Sequence, residues 1–157
     1  MATLYGVNAD KMLVDNPPAK AGNGEQGGRL RVIYDTYELV ADTDAADIIL
    51  MGGLIPKDAR VMEASLAFDD LDTSGGTLDL GWQVSAESGA EAVDPNGFIN
   101  AADVATAADV IHMSDNLAFG AGQFKKFSEA VQPLVTFSAD TDVTSGTISM
   151  AIYYIID

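Results

Sequence analysis

Apolar and polar residues alternate along most of the chain after residue 29, with the period of two that is typical of half-buried β-strands. In the first such segment, Leu30, Val32 and Tyr34 fall on one face, while Arg31 and Ile33 fall on the other. Similar segments, rich in β-branched and aromatic residues, recur along the chain. The predicted strands are residues 30–37, 47–51, 59–71, 77–86, 130–138 and 146–156.

Glycine, proline and aspartate separate these segments and accept the dihedral angles of tight turns. Within the third strand, alternation places Met62 on the same face as Leu66 and Phe68. Residues 98–110 are rich in alanine and predict one short helix capped near Asn100. Short strands without a long helical pattern predict an all-β fold: a jelly-roll-like antiparallel β-sandwich with one short helix in a crossover loop.

Residues 1–28 differ from the β-patterned domain at residues 29–157. Their Pro17-Pro18 pair and repeated glycines disfavour both helix and central strand. Two interpretations remain for this segment: a disordered tail, or an extended arm that places apolar side chains on a neighbouring subunit. We favour the arm, because a solvated tail has no use for its apolar residues. The predicted anchors are Leu4, Tyr5, Val7, Met12 and Leu13.

Composition narrows the function classes. The 157 residues fit one domain, and a hydrophobic fraction of 48% predicts a packed core. The 24 acidic residues exceed the 8 basic ones and give a net charge of -16. Such a chain repels phosphate backbones and anionic lipids, so we expect neither a nucleic acid nor a membrane as partner. The absence of cysteine excludes disulfides and thiolate chemistry.

Residues that could support catalysis are few. His112 is the only histidine and lies in an apolar segment, which favours a structural position. The stretch from Asp70 to Gly75 resembles the start of an EF-hand loop, but Gly81 occupies the position of the required bidentate glutamate. Trp82 keeps register with apolar strand residues and is predicted to be core. We therefore expect no enzyme activity, no catalytic residue, no metal site and no cofactor.

Several short motifs carry a resemblance to a known family. They are LIPKDARV at 54–61, LAFDDL at 66–71, GTLDLGW at 76–82, SGTI at 145–148 and YYIID at 153–157. In this order they resemble the small head decoration (cement) proteins, or virion structural proteins, of tailed bacteriophages. The resemblance spans residues 29–157 and rests on structural motifs without catalytic residues.

The resemblance implies a virion protein that is assembled in the host cytoplasm and binds the outer surface of a capsid. The expected partners are the major capsid protein and further copies of the chain, as a dimer or trimer. The acidic charge agrees with a basic partner surface, since complementary potentials steer association. Arg29, Arg31 and Arg60 are candidate interface residues, because arginine is enriched at interfaces and scarce in this chain.

Two alternatives stay open at the level of sequence. One is a carbohydrate-binding β-sandwich of the virion, in which Trp82 with Tyr34 and Tyr37 would form an exposed sugar platform. The other is a different phage structural component, either the coat itself or part of the tail. The chain is shorter than the usual coat protein, whose fold mixes helix and sheet.

Overall fold

The computed structural model describes residues 28–39, 46–71, 75–85, 91–104, 107–115, 122–137 and 145–156. Within these ranges the chain forms eight strands and one short 3₁₀ turn at Met113–Asp115. The strands are β1 (Arg31–Leu39), β2 (Ile48–Leu50), β3 (Ala59–Phe68), β4 (Thr77–Val84), β5 (Asp94–Asp103), β6 (Asp109–His112), β7 (Val131–Phe137) and β8 (Gly146–Ile156). No helix in these ranges is long and apolar enough to span a membrane.

The strands form two antiparallel four-stranded sheets. One has the order β1-β8-β3-β6 and the other the order β2-β7-β4-β5. Most consecutive strands therefore alternate between the sheets, and the first and last strands pair side by side. This arrangement is a jelly roll, so the predicted all-β sandwich is confirmed. All six strands that alternation predicts are present, with ends that differ by a few residues.

The core lies between the inner faces of the sheets. Trp82 contacts Phe98 and Phe127, with ring centroids 4.9 Å and 5.1 Å apart, in tilted and edge-to-face geometry. The Trp82 side chain is 2% exposed, and its indole nitrogen donates a hydrogen bond to the Ala92 carbonyl. Burial of each such aromatic side chain contributes on the order of 2 kcal/mol, and the ring geometry adds specificity. Trp82 is therefore core, as predicted.

One predicted strand face is wrong because β3 contains a bulge. The register against β8 shifts between Val61 and Glu63, so Met62 has no partner of its own. An extra residue in one strand reverses the direction of every side chain that precedes it. Val61 is consequently buried together with Leu66 and Phe68, whereas Met62 is only partly buried.

The helix predicted within residues 98–110 is also wrong, because this stretch contributes to β5 and β6. Phe98 and Ile99 are buried against the core, and Ile99 pairs with Leu80 of β4. Alanine favours helix by only a fraction of a kcal/mol per residue, which is less than burial of two large side chains contributes. The predicted arm anchors lie outside the described residues.

Candidate interaction surface

The described residues bring together no catalytic arrangement. Among them, no group of three or more histidine, aspartate or glutamate side chains is placed to hold a metal ion. His112 lies exposed on β6, in register with Ser65 of β3. A depression of about 590 Å³ between β3, β6 and β8 is open to solvent and lined partly by alanine and hydroxyl side chains.

The two ends of the sandwich differ in charge. At one end lie the first residues of β1, β3 and β7 and the last residues of β4 and β8. Arg31 pairs in register with Tyr154, and Arg60 pairs with Ile155, so both arginines flank the end of β8. The segment at residues 122–127 joins this end through main-chain hydrogen bonds to β3. We call this end of the molecule the basic end.

Every lysine and arginine that follows residue 28 lies at the basic end. Two come from the start of β1, two from the turn into β3 and two from the segment before β7. They are Arg29, Arg31, Lys57, Arg60, Lys125 and Lys126. The topology thus collects cations that the sequence spreads over nearly a hundred positions.

The opposite end, which we call the acidic end, carries carboxylates without a lysine or arginine among its described residues. It contains the last residues of β1, β3 and β5 and the first residues of β4, β6 and β8, held together by bonds such as Leu71 N–H to the Val104 carbonyl. Its exposed carboxylates are Glu38, Asp47, Asp69, Asp70, Asp103 and Asp109. Asp69 also accepts a hydrogen bond from the Thr147 amide at 2.8 Å.

The structure brings the three predicted interface arginines to one place. Arg29 and Arg31 are exposed at the start of β1, and Arg60 is partly buried at the start of β3. Residues 1–27 join the described domain at Gly28, which lies beside Arg29 at the same basic end. Whether these arginines form an interface stays a prediction, but their positions are consistent with one shared surface.

Arg60 holds a neighbouring turn in place. Its guanidinium donates a hydrogen bond of 2.9 Å to the main-chain oxygen of Phe124. The amide of Phe124 in turn donates to the Val61 carbonyl at 2.8 Å, so both polar main-chain groups of this residue are tied to β3. The turn itself is closed by a bond from the Lys125 amide to the Gly122 carbonyl.

Phe124 occupies an unfavourable backbone conformation and exposes its ring. It is the third residue of the turn, with a φ of 59°, where glycine or asparagine is normally required. Its side chain is nevertheless 54% exposed. Strained residues of this kind are frequent at functional sites. No feature of the sequence marked Phe124, because its conformation is set by contacts with β3.

Apolar side chains are also concentrated at the basic end. The described residues include eleven large hydrophobic side chains that are exposed to solvent, and six of them lie at the same end as the six cations. These six are Leu30, Val32, Leu54, Val93, Phe124 and Ile156. Arginine beside aromatic and aliphatic groups is the composition that interfaces favour.

A buried carboxylate network supports the segment that displays Phe124. Glu91 accepts hydrogen bonds from the amide and hydroxyl of Ser128 at 2.6 Å and 2.7 Å, and pairs with Lys125 at 3.0 Å. Lys125 lies over the rings of Trp82 and Phe127. Burial raises the pKa of Glu91, but the bonds from Ser128 and Lys125 outweigh it and hold the pKa below 4.5, its usual value.

Glu91→Gln should destabilise the protein by roughly 1–2 kcal/mol at pH 7, because the amide loses the charge that Lys125 and Ser128 stabilise. A carboxyl group whose pKa is lowered by folding stabilises the folded state above its unfolded pKa, and this contribution is lost as the pH falls through the folded value. Urea unfolding should show the gap between wild type and variant closing below about pH 4.5. The exposed variant Asp70→Asn is the control, and an equal gap at every pH would contradict the prediction.

The aromatic platform of the carbohydrate alternative is not formed. Trp82 is buried and cannot contact a sugar. Tyr34 and Tyr37 are exposed, but they are three residues apart on β1 and point to opposite faces of the sheet. This observation removes the residues on which that alternative depended.

Chains in solved phage capsid structures are similar to this protein. No family model matches the chain, and a comparison with curated proteins found no match. Among solved structures, a chain of the capsid of Ralstonia phage GP4 is 27% identical, with a TM-score of 0.66 over 83% of this chain and 86% of that chain. A chain of the capsid asymmetric unit of cyanophage Pam1 is 20% identical, with a TM-score of 0.61 over 88% and 92% of the two chains.

These similarities differ in what they support. The likeness to the Pam1 chain concerns the fold alone, and it agrees with the jelly roll described above. The likeness to the GP4 chain is closer in sequence and spans most of both chains. Together with the fold, it supports a structural protein of a phage virion, in agreement with the motifs of the sequence.

Proposed function

We propose that this protein is a decoration protein that binds the outer surface of a phage capsid and stabilises the shell. The observation that carries the proposal is the similarity to a chain of the GP4 capsid, which spans 83% of this chain at 27% identity. The buried core and the single jelly roll provide a rigid body, and the function requires no chemistry beyond binding.

Chain length favours decoration over the alternative of a coat protein. Similar fractions of both chains are covered in the GP4 and Pam1 comparisons, so the matched chains are about as long as this one. A coat protein that builds a shell usually needs a larger chain with both helix and sheet. Among the described residues, the only helical element is one 3₁₀ turn. A small β-sandwich fits an accessory position better than the shell itself.

The proposed partners are the major capsid protein and further copies of this chain. The predicted arm, with Leu4, Tyr5, Val7, Met12 and Leu13 as anchors, would lie across a neighbouring subunit. A decoration protein that binds only the mature shell stabilises that state by its binding free energy at every occupied site. Many such sites act together, so modest affinity at each site gives a large effect on the shell.

Sedimentation of the purified full-length protein with shells that lack it tests the proposal. We expect the protein to pellet with shells and to saturate at a fixed ratio to coat subunits, and free coat protein should not capture it. Shells carrying the protein should release their contents at a higher temperature than bare shells. Failure to co-sediment at both low and high salt would exclude this function and leave the coat and tail alternatives.

A further inference from the structure

We propose that the basic end is the docking surface, and that it binds a protein surface on which carboxylates lie beside apolar side chains. The molecule would then stand on its partner with its strands upright and its acidic end directed away. The inference rests on the proposed function, because the shell is the partner that it assigns to this surface.

The first argument is the distribution of charge. If the net charge of -16 were spread evenly over the surface, it would favour a basic partner. The fold separates the charges, however, because every lysine and arginine after residue 28 lies at the basic end. Carboxylates also lie at that end, and most of them are engaged: Asp58 pairs with Lys126 at 3.4 Å, Glu91 pairs with Lys125, and Glu129 accepts a hydrogen bond from the Glu91 amide, which leaves Asp94 at the start of β5. The exposed Arg29, Arg31 and Lys57 therefore select an acidic partner.

The second argument is the exposed apolar area. Six of the eleven exposed large hydrophobic side chains of the described residues lie at the basic end. Among them, Phe124 is held by Arg60 and Val61 in a turn position that disfavours bulky side chains. An aromatic side chain displayed on a fixed backbone loses little entropy on binding, which is the property of an interface anchor.

The side of the sandwich at which β1 and β2 are the edge strands is a weaker candidate for the docking surface, although Tyr34, Ile48 and Leu50 are exposed there. Asp35 accepts hydrogen bonds from the Thr36 amide at 2.8 Å and the Gly52 amide at 2.7 Å. This charged side chain occupies the edge of β1, and such residues prevent the addition of a further strand. A second copy is also disfavoured as occupant of the basic end, since two basic ends repel each other when they meet face to face.

A pair of double variants with equal net charge tests the inference. Arg31→Gln with Lys57→Gln removes two cations from the basic end. Ala107→Glu with Ala108→Glu adds two anions beside β6 at the acidic end, where both alanines are exposed. In co-sedimentation with shells that lack the protein, we expect the first variant to bind roughly tenfold more weakly and the second to bind like wild type. Raising the salt concentration should weaken wild type more than the first variant.

Three other outcomes overturn the inference. If wild type does not bind shells at all, the proposed function fails and the assignment of the partner fails with it. If wild type binds and the two variants lose affinity equally, the function stands and the basic end is not the docking surface. If sedimentation velocity shows that Arg31→Gln with Lys57→Gln dissociates an oligomer while each copy still binds shells, the basic end joins copies of this chain instead.

Discussion

Gly81→Ala is expected to lower the stability of the protein by roughly 3 kcal/mol, the upper part of the range for overpacking a core. Gly81 lies within β4, and an added Cβ would collide with main-chain atoms of Asp94 and Pro95 at the start of β5. Main chain cannot swing aside as a long side chain can, so the two strands would have to separate. For a domain of this size, the melting temperature should fall by about 10 °C.

Gly53→Ala is the matched control for this prediction. It has the same chemical change at an exposed position, and no atom lies within 4 Å of the added carbon. Its effect should stay within about 0.5 kcal/mol, as for most surface substitutions. Differential scanning calorimetry of the three proteins provides the comparison. Equal melting temperatures for wild type and Gly81→Ala would show that β4 and β5 are not packed as closely as described.

Much of the fold could be predicted because alternation directly reports a half-buried strand. The six predicted strands have apolar side chains at every second position, which a sandwich requires. β5 and β6 could not be found in this way, because the alanine-rich pattern of residues 98–110 is compatible with both a helix and a strand. The bulge at Met62 was equally hidden, since it depends on the register between β3 and β8.

The candidate surface could be predicted only in part from the sequence. Scarcity of arginine singled out Arg29, Arg31 and Arg60, and all three lie at the basic end. The role of the overall charge could not be judged, because separation into two ends is a property of the topology. Lys125 and Lys126 reach the basic end through a segment whose path no periodic pattern predicts. Net charge alone therefore gave an incomplete view of the partner.

Phe124→Gly should reduce shell binding by roughly thirtyfold or more while leaving the fold intact. Loss of an aromatic anchor at an interface typically costs about 2 kcal/mol or more of binding free energy. The stability of the folded protein should not decrease, because glycine adopts a φ of 59° without the strain that a side chain imposes. The usual entropic cost of glycine is offset at this position by relief of that strain.

The comparison that isolates this effect uses a second exposed apolar residue away from the basic end. Val110 lies on β6, is 50% exposed, and should tolerate Val110→Ala with little effect on binding. Thermal melts establish that each variant is folded, and co-sedimentation with shells then measures affinity. A melting temperature equal to that of wild type, combined with weak binding for Phe124→Gly alone, would identify the ring as a direct contact. Wild-type affinity in Phe124→Gly would mean that the strained turn serves the fold, for example by positioning Lys125 against Glu91.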